Sequence, residues 1–192
     1  MHKRAEQVDQ TRQRITEAAV RLHTTVGPAN TTISALAEEA GVTRLTVYRH
    51  FPDEEELFNA CGNHWVMLHP PPDPDSWRQI PVIEERARHA LQELYGWYRE
   101  NGEALFPIRR DMAAMPSSVR ELTHAADALA ADALVDGCGV RGRARRVLRA
   151  AAGHVVNFWT WRSLVVDQGL DDSQAVQLAV RFLAAAAPAT DG

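Results

Sequence analysis

The sequence predicts an all-α fold, and three observations carry that expectation. Apolar residues recur every three or four positions from one end of the chain to the other. Runs that alternate apolar and polar residues between turn dipeptides, the mark of strands, are nearly absent. Gly and Pro punctuate the periodic stretches, and no period of about 20 to 50 residues repeats, which excludes a solenoid.

Taken in order, the first helix is expected from about Asp9 to Val26, where Ile15, Ala19, Leu22 and Val26 share a face and "GPAN" ends it. Thr32 caps a second helix. Ala35 stands where a capping box would place Glu, so the cap is single. Leu36, Ala37 and Ala40 form its inner face, and Gly41 stops it. Thr43 caps a third helix, Arg44 to His50, with Val47 and Phe51 as candidates to point inward. Pro52 breaks it. Asp53 caps a fourth helix that reaches Leu68, with Glu54, Glu55 and Glu56 in the turn where the helix dipole favours carboxylates. "HPPPDPD", His69 to Asp75, reads as a rigid non-helical connection. Further helices are expected at about 81–101, 103–114, 117–135, 142–167 and 172–187.

The bulk numbers fit a globular protein. With 192 residues, 45% apolar and 24% charged, the chain can bury a core and is not wholesale disordered. Cys61 and Cys138 match no zinc spacing, and a reduced cytoplasmic compartment suits them. "MHKRAEQVDQTRQR" is positive but lacks an apolar stretch behind it, so it is not a secretory signal, and no run of about 18 apolar residues suggests a membrane span.

Two short helices joined by a tight Gly-containing turn, "TTISALAEEAGVTRLTVYRHF" (Thr31 to Phe51), make a helix-turn-helix. A helix fits the DNA major groove, where each base pair shows a distinct donor and acceptor pattern. The third helix has suitable chemistry. Arg44 can read a guanine edge or grip a phosphate, Thr46 can donate to either, and Leu45 can press on a thymine methyl. Tyr48, Arg49 and His50 lie within reach of the flanking backbone, as do Thr32 and Thr43 at helix N-termini. The net charge of −4 conceals an asymmetry: residues 1–52 hold seven Lys/Arg and five Asp/Glu, a surplus of +2, leaving −6 for residues 53–192. The same segment also fits a small structural three-helix bundle with a solvated polar face.

The residues from about 10 to 60 resemble the N-terminal signature of TetR-type transcriptional regulators. The resemblance runs through Ala18-Ala19, Leu22, Gly27, Thr31-Thr32, Leu36-Ala37, Ala40-Gly41-Val42-Thr43, Tyr48, His50-Phe51 and Leu57. It implies an all-α homodimer: an N-terminal three-helix head that reads DNA (1–52) and a C-terminal helical ligand-binding and dimerisation body (53–192), connected by a helix from about 53 to 68. It further implies a repressor on a near-palindromic double-stranded operator, released by a small apolar ligand; neither cofactor nor metal is expected.

Three residues depart from that pattern. His23 stands where the family usually has Phe, so a partly exposed imidazole is expected in the head's core. Leu45 replaces a commonly small residue. Glu54 replaces a Lys that normally grips a phosphate, which shifts the load to Arg44, Arg49 and the Lys3-Arg4 arm.

In the body, "RGRARRVLRAAAGHVVNFWTWRSLVVDQG" is apolar on most of its circumference. On a wheel of about 100° per residue, Val147, Ala151, Val155, Phe158 and Val165 share one face, and Leu148, Ala152, Val156, Trp159 and Val166 the next. A helix so apolar is expected to pack against its own chain and a twin, with the last helix as companion. The expected dimer seam is Val155, Phe158, Trp159, Val176, Val180 and Phe182. His154, Asn157 and Trp161 lie on a third flank at i, i+3, i+7 and read as a pocket wall with Trp97, Phe106, Met112 and Trp65. The alternative is that these aromatics are ordinary core and His154 a satisfied or interface histidine. Arg109 and Arg110 read as a solvated face or as counter-charge for an anionic ligand.

Enzyme activity has no support: HExxH, GxSxG, a Gly-rich phosphate loop and a Cys/His cluster are all missing from the sequence. A helix-turn-helix module that binds no DNA, and a body too filled to take a ligand, remain alternatives.

Overall fold

The computed structural model describes the backbone of residues 2–187 and the side chains of 6–187. Among the described residues there is no strand. The helices are α1 (His2–Thr25), α2 (Ile33–Glu39), α3 (Arg44–His50), α4 (Glu54–Leu68), α5 (Pro74–Arg78), α6 (Ile83–Arg110), α7 (Ser117–Val135), α8 (Gly142–Val155), α9 (Phe158–Arg162) and α10 (Asp172–Ala186). Short 3-10 turns occupy Pro28–Asn30 and Met112–Ala114, and a π-turn occupies Ser163–Asp167. The chain packs as two compact units, Met1–Pro70 with Glu103–Leu122, and Pro71–Gly102 with Thr123–Gly192.

In the first unit, Ile15, Ala18 and Ala19 of α1 meet Leu36 and Ala37 of α2, Val47 of α3, Phe51, and Leu57 of α4 in one buried cluster. Each large apolar side chain removed from water there stabilises the unit by roughly 1.5–3 kcal/mol. The helix starts are those the sequence expects. Thr32 accepts from Ala35 N (3.1 Å), Thr43 from Thr46 N (3.2 Å) and Asp53 from Glu56 N (2.7 Å). Arg12 ties the elements together: it donates to Glu56 Oε1 (2.7 Å) and to the His50 carbonyl, and its guanidinium lies 4.1 Å over the Phe51 ring. The turn after α1 passes through Gly27 at φ 94, where a Cβ would come within 2.2 Å of Asp111 Oδ2. There Arg110 Nη2 donates to the Val26 carbonyl (3.0 Å) and Ala29 N to Asp111 (3.1 Å). The Arg110 hydrogen bond holds the Asp111 carboxyl below the usual range. Arg110 is exposed, yet engaged.

In the second unit, the core is built from Trp77, Leu91, Tyr95 and Tyr98 together with Leu134, Leu148, Val155, Phe158, Trp161 and the inner face of α10. Buried Arg86 donates to the carbonyls of Ile80 (2.8 Å), Ala133 (3.2 Å) and Asp136 (2.6 Å), closing the C-terminal end of α7.

Four elements differ from the sequence expectation. α1 begins at His2 rather than near Asp9. The connection after His69 ends early, because Asp73 caps α5 at Pro74. Residues expected as two helices, 81–101 and 103–114, form the single α6 with a 3-10 turn after it. Gly102 is there for packing rather than as a stop: a Cβ would lie 2.5 Å from the Trp161 ring. The helix expected over 142–167 ends at Val155 and restarts at Phe158, with Asn157 accepting from Trp159 N (2.9 Å). The Val155 and Val156 carbonyls accept instead from the hydroxyls of Tyr95 (2.8 Å) and Tyr98 (2.9 Å).

Candidate nucleic-acid interface

α3 is seven residues long and two-faced because its inner anchors are few and large. Val47 and the following Phe51 are buried, so the opposite side stands in solvent. That side presents Arg44, Leu45, Tyr48 and Arg49 as exposed residues, Leu45 at 69% and Tyr48 at 48%. Neither Arg44 nor Arg49 has an ion-pair or hydrogen-bond partner among the described residues. Thr46 and His50 are half-buried on the margin. Thr43 and Thr46 share a hydroxyl hydrogen bond of 2.9 Å, while Thr32, which accepts from Ala35, keeps its own O–H to donate.

The head's cations divide by use. Arg12 pairs with Glu56 and Arg21 with Glu39 (2.6 Å), so both serve the fold. Arg14, Arg44 and Arg49 stay exposed and unpaired among the described residues. The Lys3 and Arg4 side chains lie outside the described residues. Sequence reasoning had no signal for the clamp of Arg12, whose partners lie 38 and 44 residues away.

Thr32, Tyr48, Asp53 and Glu54 border one depression of about 300 Å³, floored by Leu36, Val47, Leu57 and Phe58. Glu54 therefore stands on the same side as two of the expected contact residues. His23 also lines it and corrects an expectation. The imidazole is buried (5% exposed), stacked on Phe58 at 4.7 Å with Nδ1 3.5 Å from Cys61 Sγ. Burial pushes the imidazole down to about 4 and the thiol up to about 12, so both are neutral near pH 7.

The expected pocket residues fall in different places. Phe106 and Met112 are half-buried in the first unit, Phe106 with the Arg110 guanidinium 5.9 Å from its ring. Trp65, also there, stacks on His69 at 3.8 Å. In the second unit Trp97 packs on Tyr98 at 5.6 Å, and Trp161 is buried between Tyr98 and Phe158. The break at Asn157 takes His154, Asn157 and Trp161 off a common flank. His154 is exposed beside Phe182 (5.3 Å), Asn157 caps α9, and Trp161 is core. Of the expected seam, Val155, Phe158, Val176 and Val180 are buried within this chain, whereas Trp159 (44%) and Phe182 (49%) are exposed. A wheel sorts apolar from polar; it does not separate the side facing the same chain from the side facing another.

Residues 15–61 match the family of bacterial regulatory proteins called tetR. The uncharacterized HTH-type transcriptional regulator TtgW of Pseudomonas putida is 34% identical over 96 residues, 47% of this chain and 72% of that protein. The chain belongs to the TetR family. The chain is also similar to the HTH-type transcriptional regulators AcrR of Shigella flexneri and SrpR of Pseudomonas putida. AcrR is 39% identical over 57 residues (30% of this chain, 26% of that one), and SrpR 34% over 96 (47% and 45%). The chain thus spans less than half the length of these two. All are named as regulators and none as an enzyme. A TetR-like regulator from Rhodococcus sp. RHA1 shares the fold with a TM-score of 0.60 at 18% identity, covering 90% of this chain and 93% of that one. A TetR-family regulator from Streptomyces coelicolor does so at 0.61 and 18%, covering 93% and 80%. Among the described residues no helix is long and apolar enough to cross a membrane.

Proposed function

We propose that this TetR-family chain is a homodimeric repressor that reads a near-palindromic operator and leaves it when a small apolar ligand occupies the body. The observation that carries the reading is the outer face of α3. Two unpaired arginines, a tyrosine and a leucine stand exposed on a helix whose other face is fixed by Val47 and Phe51. Free guanidiniums on a short rigid helix suit guanine edges and phosphates, and Leu45 suits a thymine methyl.

Residues 1–52 act as the reading head and 53–192 as the ligand-binding and dimerisation body, working in the cytoplasm. Paired reading helices would sit about 34–36 Å apart to meet successive major grooves. The exposed apolar residues left on the C-terminal helices, Val147, Trp159, Leu178 and Phe182, supply a seam for the twin. The ligand must bind one spacing of the heads more tightly than the other, since equal affinity shifts nothing.

Arg44→Ala and Tyr48→Ala are expected to weaken operator binding at least tenfold each in a band-shift titration, with sedimentation still reporting dimers. Monomers in either variant would show that the roles of head and body are misassigned. Glu54→Lys is expected to tighten binding and to steepen its salt dependence by about one charge. An unchanged slope would show that Glu54 does not face a phosphate.

A further inference from the structure

The depression in the head has the makings of a binding site in its own right. Its volume of about 300 Å³ is at the lower end of ligand pockets, and its floor is apolar. Its lining includes two uncommitted polar groups, one exposed and one buried. At the mouth, Glu54 is exposed, and its carboxylate has no partner among the described residues. Neighbouring Asp53 already caps α4 through Glu56 N (2.7 Å).

In the interior stands His23, with more than nine-tenths of its surface removed from solvent. Its Nδ1 is turned to Cys61, and Phe58 fixes the ring plane, which leaves Nε2 without a partner among the described residues. That nitrogen is not among the unpartnered side-chain atoms shut off from solvent, so a polar atom entering the depression can reach it.

We infer that the head holds a small-molecule site for a compact arylalkylamine bearing a hydroxyl on its ring, the ammonium beside Glu54 and the hydroxyl on His23 Nε2. The carboxylate at the mouth disfavours anions. The apolar floor selects a ring, and the imidazole supplies an acceptor or donor to the hydroxyl according to its tautomer. Thr31, Thr32 and Tyr48 border the ring without adding charge. An ammonium beside Glu54 also cancels a negative charge on the side presented to DNA, so occupancy strengthens operator binding. That consequence, unlike the binding itself, rests on the head being the DNA-contacting face.

The probe is tyramine, titrated calorimetrically into the full-length protein without DNA and compared with phenethylamine, which lacks the hydroxyl, and 4-ethylphenol, which lacks the amine. Tyramine is expected to bind saturably and tightest. Loss of the hydroxyl should cost about tenfold, because the hydrogen bond to His23 Nε2 is then lost, and loss of the amine about threefold, as for an exposed ion pair. Glu54→Gln should bring tyramine down to the level of 4-ethylphenol, and His23→Phe should erase the preference for tyramine over phenethylamine. Tyramine should also shift the His23 imidazole resonances in NMR spectra.

No saturable binding, equal binding of all three probes, or binding indifferent to Glu54→Gln would overturn the site; the last two hold even where His23→Phe does not fold. If tyramine binds as described but leaves operator affinity unchanged, the site stands and the assignment of Glu54 to the DNA face falls.

Discussion

Helix starts and helix ends in this chain are closed by opposite means. Donors left over at helix starts meet side chains at most three residues away: Thr32 for α2, Thr43 for α3 and Asp53 for α4 in the first unit, Asp73 for α5, Asn157 for α9 and Asp171 for α10 in the second. Carbonyls left over at helix ends meet side chains from far along the chain, as Arg12 meets His50 in the first unit. Tyr95 and Tyr98 reach Val155 and Val156, 60 and 58 residues away, and Arg86 reaches Ala133 and Asp136 across 47 and 50. Local caps make a helix an almost self-contained decision of its own sequence. Remote caps make it depend on packing that is already in place. α3 therefore starts on a local signal, while its end, through Arg12, and the ends of α7 and α8 depend on residues far along the chain.

The largest departure should come from cutting the remote network. Arg86→Met leaves three carbonyls without their donor and should lower the unfolding free energy of the chain by about 3–5 kcal/mol in denaturant titration. A loss no greater than that of an ordinary surface substitution would break the contrast.

The next effect comes from a distant pair in the first unit, His23 and Cys61. The imidazole titrates at about 4 in the fold against 6.5 unperturbed, so the unfolded chain takes up the proton first. Stability is full above pH 6.5 and falls through the window down to about 4, by about 3 kcal/mol in all. His23→Phe should flatten that acid limb, as seen by thermal unfolding at a series of pH values. An unchanged limb would mean that the imidazole is not held neutral by burial.

Smallest is the local cap itself: Thr43→Ala should cost about 1 kcal/mol, with weaker operator binding to match. A cost as large as that of Arg86→Met would erase the distinction between the two kinds of cap.

The same distinction explains what the sequence made legible. Thr32, Thr43 and Asp53 announce their helices because a cap and its target lie three residues apart, and α3 and α4 are found where those residues place them. The outer face of α3 was legible for the same reason, since on so short a helix burial of Val47 determines what is exposed. Gly102 looks like a stop to any local reading; only the Trp161 ring, 59 residues on, reveals it as a packing notch inside α6. The break at Asn157 is likewise hidden, because the hydroxyls that permit it belong to α6. Val155 and Val176 read as material for a partner, yet their own chain covers them. His23 departs from the family habit visibly, but its burial against Phe58 and Cys61 is a fact of tertiary packing.

The exposed side of α3, presented twice by a dimer, is proposed to read base edges. Selection of bound duplexes from a random pool tests it most directly, with the natural chain and Arg44→Ala run side by side at low salt. The natural chain should enrich a near-palindrome whose half-sites lie about one helical turn apart, and Arg44→Ala should lose preference at defined positions within each half. Failure of the natural chain to enrich any duplex, or the same motif from both proteins, would contradict it.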